Sequence, residues 1–431
     1  MRMLALLATV GLLTVAMSAV QAEDQMAEGL IAANVMKYGA KADAKTDDTS
    51  AFQKALDAAA DKGGIILVPA GTYLIAGSLN IPQGVTLKGV WEAPHHADIG
   101  KGSIIYATGN AGKEDGTPLI TLNQSSCIRG LTVLYPEQKI DNIQPYPWTI
   151  QGKGMHGSVI DVTLVNPYKA IDFGTHWNEL HYIKNVFGCP LKVGIFVDKC
   201  TDVGRIEDVH FNPHAWGRAN YPGRPTDDQI KKLAVDLRTT LTGFLIGKTD
   251  WEYMNNCFVI FPKIGYHFIA TEMGAPNAVL TQCGSDIGPT AVQVDASQDH
   301  AGIAFSNCQL MSTVRIGPGN NGPVKFSNCG FWPVFATTDY QAVIDGKGTI
   351  TFTSCHFFNW GEIDESLPGV LVKKGTVIIN GCEFLSEKKT QIELTSGTKS
   401  AAIFGNRFNK GQRIINNAPA DADIQIGMNI K

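Results

Sequence analysis

Phe305-Ser306-Asn307-Cys308, Phe326-Ser327-Asn328-Cys329, Phe352-Thr353-Ser354-Cys355 and Ile379-Asn380-Gly381-Cys382 are four copies of one phrase. Two residues after each Cys stands an apolar residue: Leu310, Phe331, Phe357 or Phe384. The Cys positions step by 21, 26 and 27 residues, the period of a solenoid. Weaker copies continue outward, through Asn406 on one side and through Cys283, Cys257, Asp208, Asn185, Asp161 and Gly130 on the other. Each copy is a short β-run ending at Asn, Asp or Gly, which suit the left-handed residue of a tight corner. A second β-run follows, as in Gly194–Val197 and Ala291–Val294. No helix-length apolar pattern fits between copies. The expected fold is an all-β, single-stranded right-handed parallel β-helix of about a dozen rungs, with inward Phe and Cys columns and an Asn ladder at one corner.

The 431 residues, 44% of them hydrophobic, can build a large core, and 45 glycines suit many corners. Lys+Arg 36 against Asp+Glu 40 leaves −4, so nucleic acid is not indicated as a partner. Residues 1–22 read as a cleavable signal peptide: Arg2, an apolar run from Leu4 to Val15, and Val20-Gln21-Ala22. This implies a secreted or periplasmic protein, cut after Ala22, with no membrane contact afterwards. Residues 23–431 then form one β-helix domain. Six of the nine cysteines share one repeat position and read as buried free thiols. No metal site is assigned, since no CxxC spacing exists, and Asp172, His176, Glu179 and His181 read as satisfied surface residues.

Residues 34–90 form the N-terminal cap and first rungs. Ser50–Ala60 is an amphipathic helix with Asp47 or Asp48 as N-cap, and Phe52, Ala55, Leu56 and Ala59 on its apolar face cover the open end of the first rung. Ile65–Val68 and Thr72–Ile75 are strands around a Pro69-Ala70-Gly71 turn.

Tyr38-Gly39-Ala40, Asp47-Asp48-Thr49 and Val68-Pro69-Ala70-Gly71-Thr72-Tyr73 resemble the N-terminal signature of the pectate-lyase superfamily, in particular its rhamnogalacturonase A/B and epimerase-like domain. The match covers about the first quarter of the mature chain. It departs from the family where Ala42 and Ala44 flank Asp43, since the family often has Gly there. The resemblance implies a right-handed β-helix and action on acidic or plant-type polysaccharides, without fixing the reaction. The polygalacturonase signature is missing. There is no Asn-Thr-Asp, Asp227-Asp228 lies in an insertion, and Gly154-Met155-His156-Gly157 is a loose echo of Gly-His-Gly.

Pro136, Pro167, Pro190, Pro213, Pro262 and Pro333 each follow a corner residue by five or six positions and should stack. Two loop insertions leave from that corner, near 137–157 and 214–240, and are expected to wall a groove. Alternation puts Ile171, Phe173, Ile195, Val197, Tyr266 and Phe268 inside, and Asp172, Phe196, Asp198, His267, Gln293 and Asp295 outside. Lys192, His214 and Asp172 are the catalytic candidates, Lys192 or His214 as base and Asp172 as orienting group or acid. Lys169, Lys263, Arg218, Trp216, Arg224 and His267 are the substrate-binding candidates, because cations pair with carboxylates and an indole stacks on a sugar face. The sequence requires no cofactor and leaves calcium open. The function expected is a polysaccharide lyase, glycoside hydrolase or epimerase acting on a uronate-containing polysaccharide. The alternative is a non-catalytic polysaccharide-binding or adhesion β-helix.

Overall fold

Short β-runs broken by left-handed residues cannot continue straight, so each run turns and the chain climbs. In the computed structural model, which describes residues 31–90, 99–333, 339–387 and 389–431, these runs form two parallel sheets of 27 and 13 strands. The 13-stranded sheet contributes one strand per rung, from Leu79–Ile81 to Ile414–Asn416, which matches the expected dozen. The corner of the larger sheet is the left-handed column. Asp161, Asn185, Asp208, Asn256, Asn307, Asn328 and Ser354 all have φ between 52° and 55°. The ladder bonds form where two amides or an amide and a carboxylate stack: Asn185 Nδ2 donates to Asp161 Oδ1 (2.7 Å) and Asn328 Nδ2 to Asn307 Oδ1 (2.6 Å).

In-register stacking makes the core a set of columns. Phe305, Phe326 and Phe352 pair in register and stack with centroids 4.9 and 5.1 Å apart. Phe331, Phe357, Phe384 and Phe408 form a second aromatic column at 4.6 to 5.0 Å. The six repeat cysteines are buried free thiols beside them. Burial pushes the Cys283 thiol well above its ordinary range.

At the N-terminal end Thr49–Ala58 is the expected helix, and Phe52, Ala55, Leu56 and Ala59 are buried against the first rung. Asp48 stands at its N-cap position but does not cap it. Its carboxylate instead accepts from the Lys41 and Ala42 amides (2.7 and 3.2 Å), and Asp47 Oδ1 accepts from the Thr49 amide. Ala42 and Ala44, where the family often has Gly, both sit in the left-handed region (φ 55° and 61°). The candidate signal peptide, residues 1–22, lies outside the described residues. Among the described residues no helix is long and apolar enough to cross a membrane.

The insertions differ from expectation in one respect. Trp148–Gly152 is a strand of the 13-stranded sheet, so it belongs to a rung and the first loop ends before it. The second insertion holds two helices, His214–Gly217 and Asp227–Thr240, the latter started by a Thr226–Gln229 capping box.

Candidate functional site

The Pro corner stacks as the spacing requires: the Leu191 and Lys192 amides donate to the Pro167 and Tyr168 carbonyls, each at 2.9 Å. This sets Lys169 and Lys192 on successive rungs, and both reach one carboxylate from a preceding loop. Lys192 Nζ lies 2.6 Å and Lys169 Nζ 3.6 Å from Glu114 Oε1. Tyr168 donates to Glu114 Oε2 at 3.4 Å. Lys169 also sits over the Trp148 ring (5.2 Å), and Trp148 stacks on Phe196 with planes 14° apart. Burial works to raise the Glu114 pKa, but the Lys192 hydrogen bond and the two ammonium charges outweigh it, so the carboxyl is held below its usual range. The same hydrogen bond raises Lys192 above its ordinary value. Lys192 is thus placed as a cation that grips a carboxylate, the charge-neutralising part of the expected chemistry.

The expectation for Asp172 is corrected. It lies in the outward column that runs Gln151, Asp172, Phe196, Leu245, His267, Gln293. Yet it is fully buried, accepting from Gln151 Nε2 (2.7 Å) and from the Gly174 and Thr175 amides (2.7 and 2.9 Å). Its oxygens are spent on a turn and do not open onto a cleft. Asp198, also expected outside, is buried and accepts from the Lys248 amide and the Thr271 hydroxyl.

His214, Arg218 and Arg224 do come together. With Pro213, Asp227, Ile230, Lys231 and Phe261 they line a cavity of about 430 Å³ between the insertion's helices and the next rung. Burial, and then the Arg218 charge, hold His214 below the ordinary histidine value against a weaker pull from Asp227. Neither Lys192 nor Asp172 lines this cavity. The catalytic trio expected from sequence is thus divided among three surroundings.

Trp216 is not a sugar platform. It is fully buried, its Nε1 donates to Tyr221 Oη (2.8 Å), and with Leu233 and Leu237 it belongs to the one hydrophobic core that continues from the rungs into the insertion. The expected open groove between the insertions is bridged instead, because Gln229 Nε2 donates to Asp141 Oδ2 (3.0 Å). Lys263 is exposed at the corner. His267 lies on the outer face of the 13-stranded sheet, its Nε2 2.7 Å from Asp295 Oδ2, and this contact, ahead of burial, lowers the Asp295 pKa.

Two groups escaped the sequence reading. Glu114 has no motif around it, and only the lysines it pairs with carry a signal. His181, expected on the surface, is buried with Glu252 and Cys200 in the core, their ligand atoms within 4.8 Å of one another. Burial opposes a charge on His181, but Glu252 pushes it up to about 10. Its former companions His176 and Glu179 bond Gln151 and Thr201 outside.

Comparison with known proteins gives a consistent picture. The family described as rhamnogalacturonase A/epimerase, pectate lyase-like, matches residues 32–256, just over half of the chain. A probable rhamnogalacturonase A from Aspergillus oryzae is 37% identical over 93 residues, 22% of this chain and 17% of that protein. The non-secreted LysM effector LysM19 of Penicillium expansum is 34% identical over 87 residues, 19% of this chain and 7% of its own length. The chain thus spans less than a fifth of these curated relatives. Among solved structures, the N-terminal fragment of bacteriophage phi29 gene product 12 superposes with a TM-score of 0.58 at 14% identity, covering 96% of this chain and 74% of that one. At that identity the likeness is one of fold.

Proposed function

The chain belongs to the rhamnogalacturonase A/epimerase, pectate lyase-like family, and on that premise we propose that it is a carbohydrate-active protein that holds an acidic polysaccharide along this corner. One observation carries the reading: two lysines on successive rungs grip a single carboxylate, with a half-buried Trp148–Phe196 pair beside them. A uronate carboxylate can take the place of Glu114 there, and the apolar face of its ring can lie on the indole. Neutralising that carboxylate makes the C5 proton acidic, the requirement for β-elimination or C5 epimerisation. His267, oriented by Asp295 two rungs along the same outward column as Phe196, is the candidate base, and His214, in the separate cavity of the insertion, is the alternative for a polymer that reaches it. Export to a periplasmic or extracellular space, where such polymers occur, completes the proposal.

The test is incubation of the purified protein with a panel of polyuronates, reading unsaturated-product absorbance, reducing ends and affinity. Turnover with rising absorbance supports lyase chemistry, and reducing ends alone support hydrolysis. Tight binding without turnover turns the reading to a docking solenoid. Failure to bind any polyuronate overturns it.

A further inference from the structure

The His181–Cys200–Glu252 cluster plays no part in the proposed polysaccharide site. All three residues are fully buried, so none can meet a polymer. Register explains how they meet. The Arg205 amide donates to the His181 carbonyl, and Gly204 pairs with Glu252, so His181, Gly204 and Glu252 occupy one inward column on three successive rungs. Side chains two rungs apart, roughly 10 Å at the backbone, touch only if the middle position is empty. Gly204 empties it: a methyl group there would overlap both His181 Cε1 and Nε2 and Glu252 Oε2. Cys200 approaches from the start of the same strand, its Sγ 4.0 Å from the ring's Nδ1.

Hydrogen bonding fixes the imidazole. Asn178 Nδ2 donates to the Phe173 and Asp198 carbonyls, so its Oδ1 faces His181 Nδ1 and accepts that proton (2.9 Å). The Phe173 ring stacks on the imidazole at 5.0 Å. Nε2 is therefore the free ligand position, and it lies 3.1 Å from Glu252 Oε1. Two acceptor atoms at that separation need a cation between them. A proton satisfies Oε1 alone, while Glu252 Oε2 is buried with no hydrogen-bond partner.

We propose that His181 Nε2, Cys200 Sγ and the Glu252 carboxylate form a structural site for a divalent transition-metal ion of the zinc class, riveting three successive rungs. The donor set suits such an ion. Nitrogen, sulfur and oxygen ligands around tetrahedral zinc stand about 3–4 Å apart, and the Nε2–Oε1 pair already does. A bidentate Glu252 supplies the third and fourth donors and gives Oε2 its missing partner. One thiolate, one carboxylate and a neutral imidazole cancel the charge of a divalent ion, which a low-dielectric interior favours. The Nδ1–H bond to Asn178 is the outer support that orients a ligating histidine. On binding, the proton between Nε2 and Oε1 and the thiol proton leave to solvent. Because the site is sealed, the metal enters as the chain folds.

The experiment is to unfold the full chain under reducing conditions and refold it with Co²⁺, or with Zn²⁺, followed by exhaustive dialysis. The expected result is one metal per chain, a thiolate-to-cobalt charge-transfer band in the near ultraviolet, and a thermal midpoint raised by several degrees by Zn²⁺. Cys127→Ser should keep the band. Cys200→Ser should lose it, and Glu252→Gln should retain at least about tenfold less metal. The wild-type chain decides alone should a variant fail to fold. Refolded protein without stoichiometric metal overturns the site, as does bound Co²⁺ lacking the thiolate band or a band that survives in Cys200→Ser.

Discussion

Residues 303–408 and residues 148–268 share one register but are filled differently. In the C-terminal stretch the aromatic and thiol columns repeat one residue type over several rungs, Phe on Phe and Cys on Cys, before the Phe352 position passes to Ile379. In the earlier stretch the columns are heterogeneous. A histidine, a glycine and a glutamate share one column inside, and lysines, aromatics and a two-helix insertion crowd one corner outside. Uniform columns maximise packing and leave nothing to react. Mixed columns give up packing for placed charge.

Phe326→Ala attacks the uniform stretch where it is strongest. Phe326 is fully buried between two stacked rings, so its loss should cost about 3–5 kcal/mol in denaturant unfolding. A loss under about 1 kcal/mol would mean that the columns contribute little. Gly204→Ala probes the mixed stretch. The added methyl must displace His181 or Glu252, and about 1–3 kcal/mol should be lost in the same assay. An unchanged unfolding midpoint would show that the column does not meet across Gly204.

Lys192→Ala should weaken polyuronate binding by about tenfold, the contribution of one charged hydrogen bond, with the circular dichroism spectrum intact. Equal affinity would remove the lysine pair from the site. Glu114→Gln works in the opposite sense, since it removes the carboxylate that the two lysines share and leaves Lys169 only the exposed Asp115 at 3.9 Å, and affinity should rise a few-fold by titration calorimetry. It also has a pH signature. The Glu114 pKa is lowered by folding, so the ion pair's stabilisation is complete above the unfolded value near 4.5 and fades as pH falls through the folded value. That acid-side loss should shrink in Glu114→Gln. The smallest effect is expected at Ala44→Gly, where removing Cβ from a left-handed residue should stabilise the cap by about 1 kcal/mol in thermal unfolding.

How much could be read without coordinates followed the same division. Asn307, Asn328 and Phe326 announce the solenoid because identical residues recur at near-constant steps. The Asp-Asp-Thr helix and the Pro corner were equally legible. The site was less so. Alternation put Asp172 on the outer face correctly, but it carries no information about the Gln151 amide and the turn amides that seal it. Trp216 looked like a platform because an insertion has no period to reveal that it packs into the core. The column of His181, Gly204 and Glu252 was hidden for a related reason. The insertion stretches the last step to 48 residues, and only after residues 214–240 are set aside do the three positions align.

The constancy of the rung step has a consequence for anything long that lies along the axis. Equivalent positions recur about every 4.8 Å, so the solenoid surface is a ruler with translational symmetry. An extended polymer meeting only repeated marks could slide by whole steps at little cost. Lys169 and Lys192, like charges on two adjacent marks that close on one carboxylate, break that symmetry. They make the difference between a track and an address.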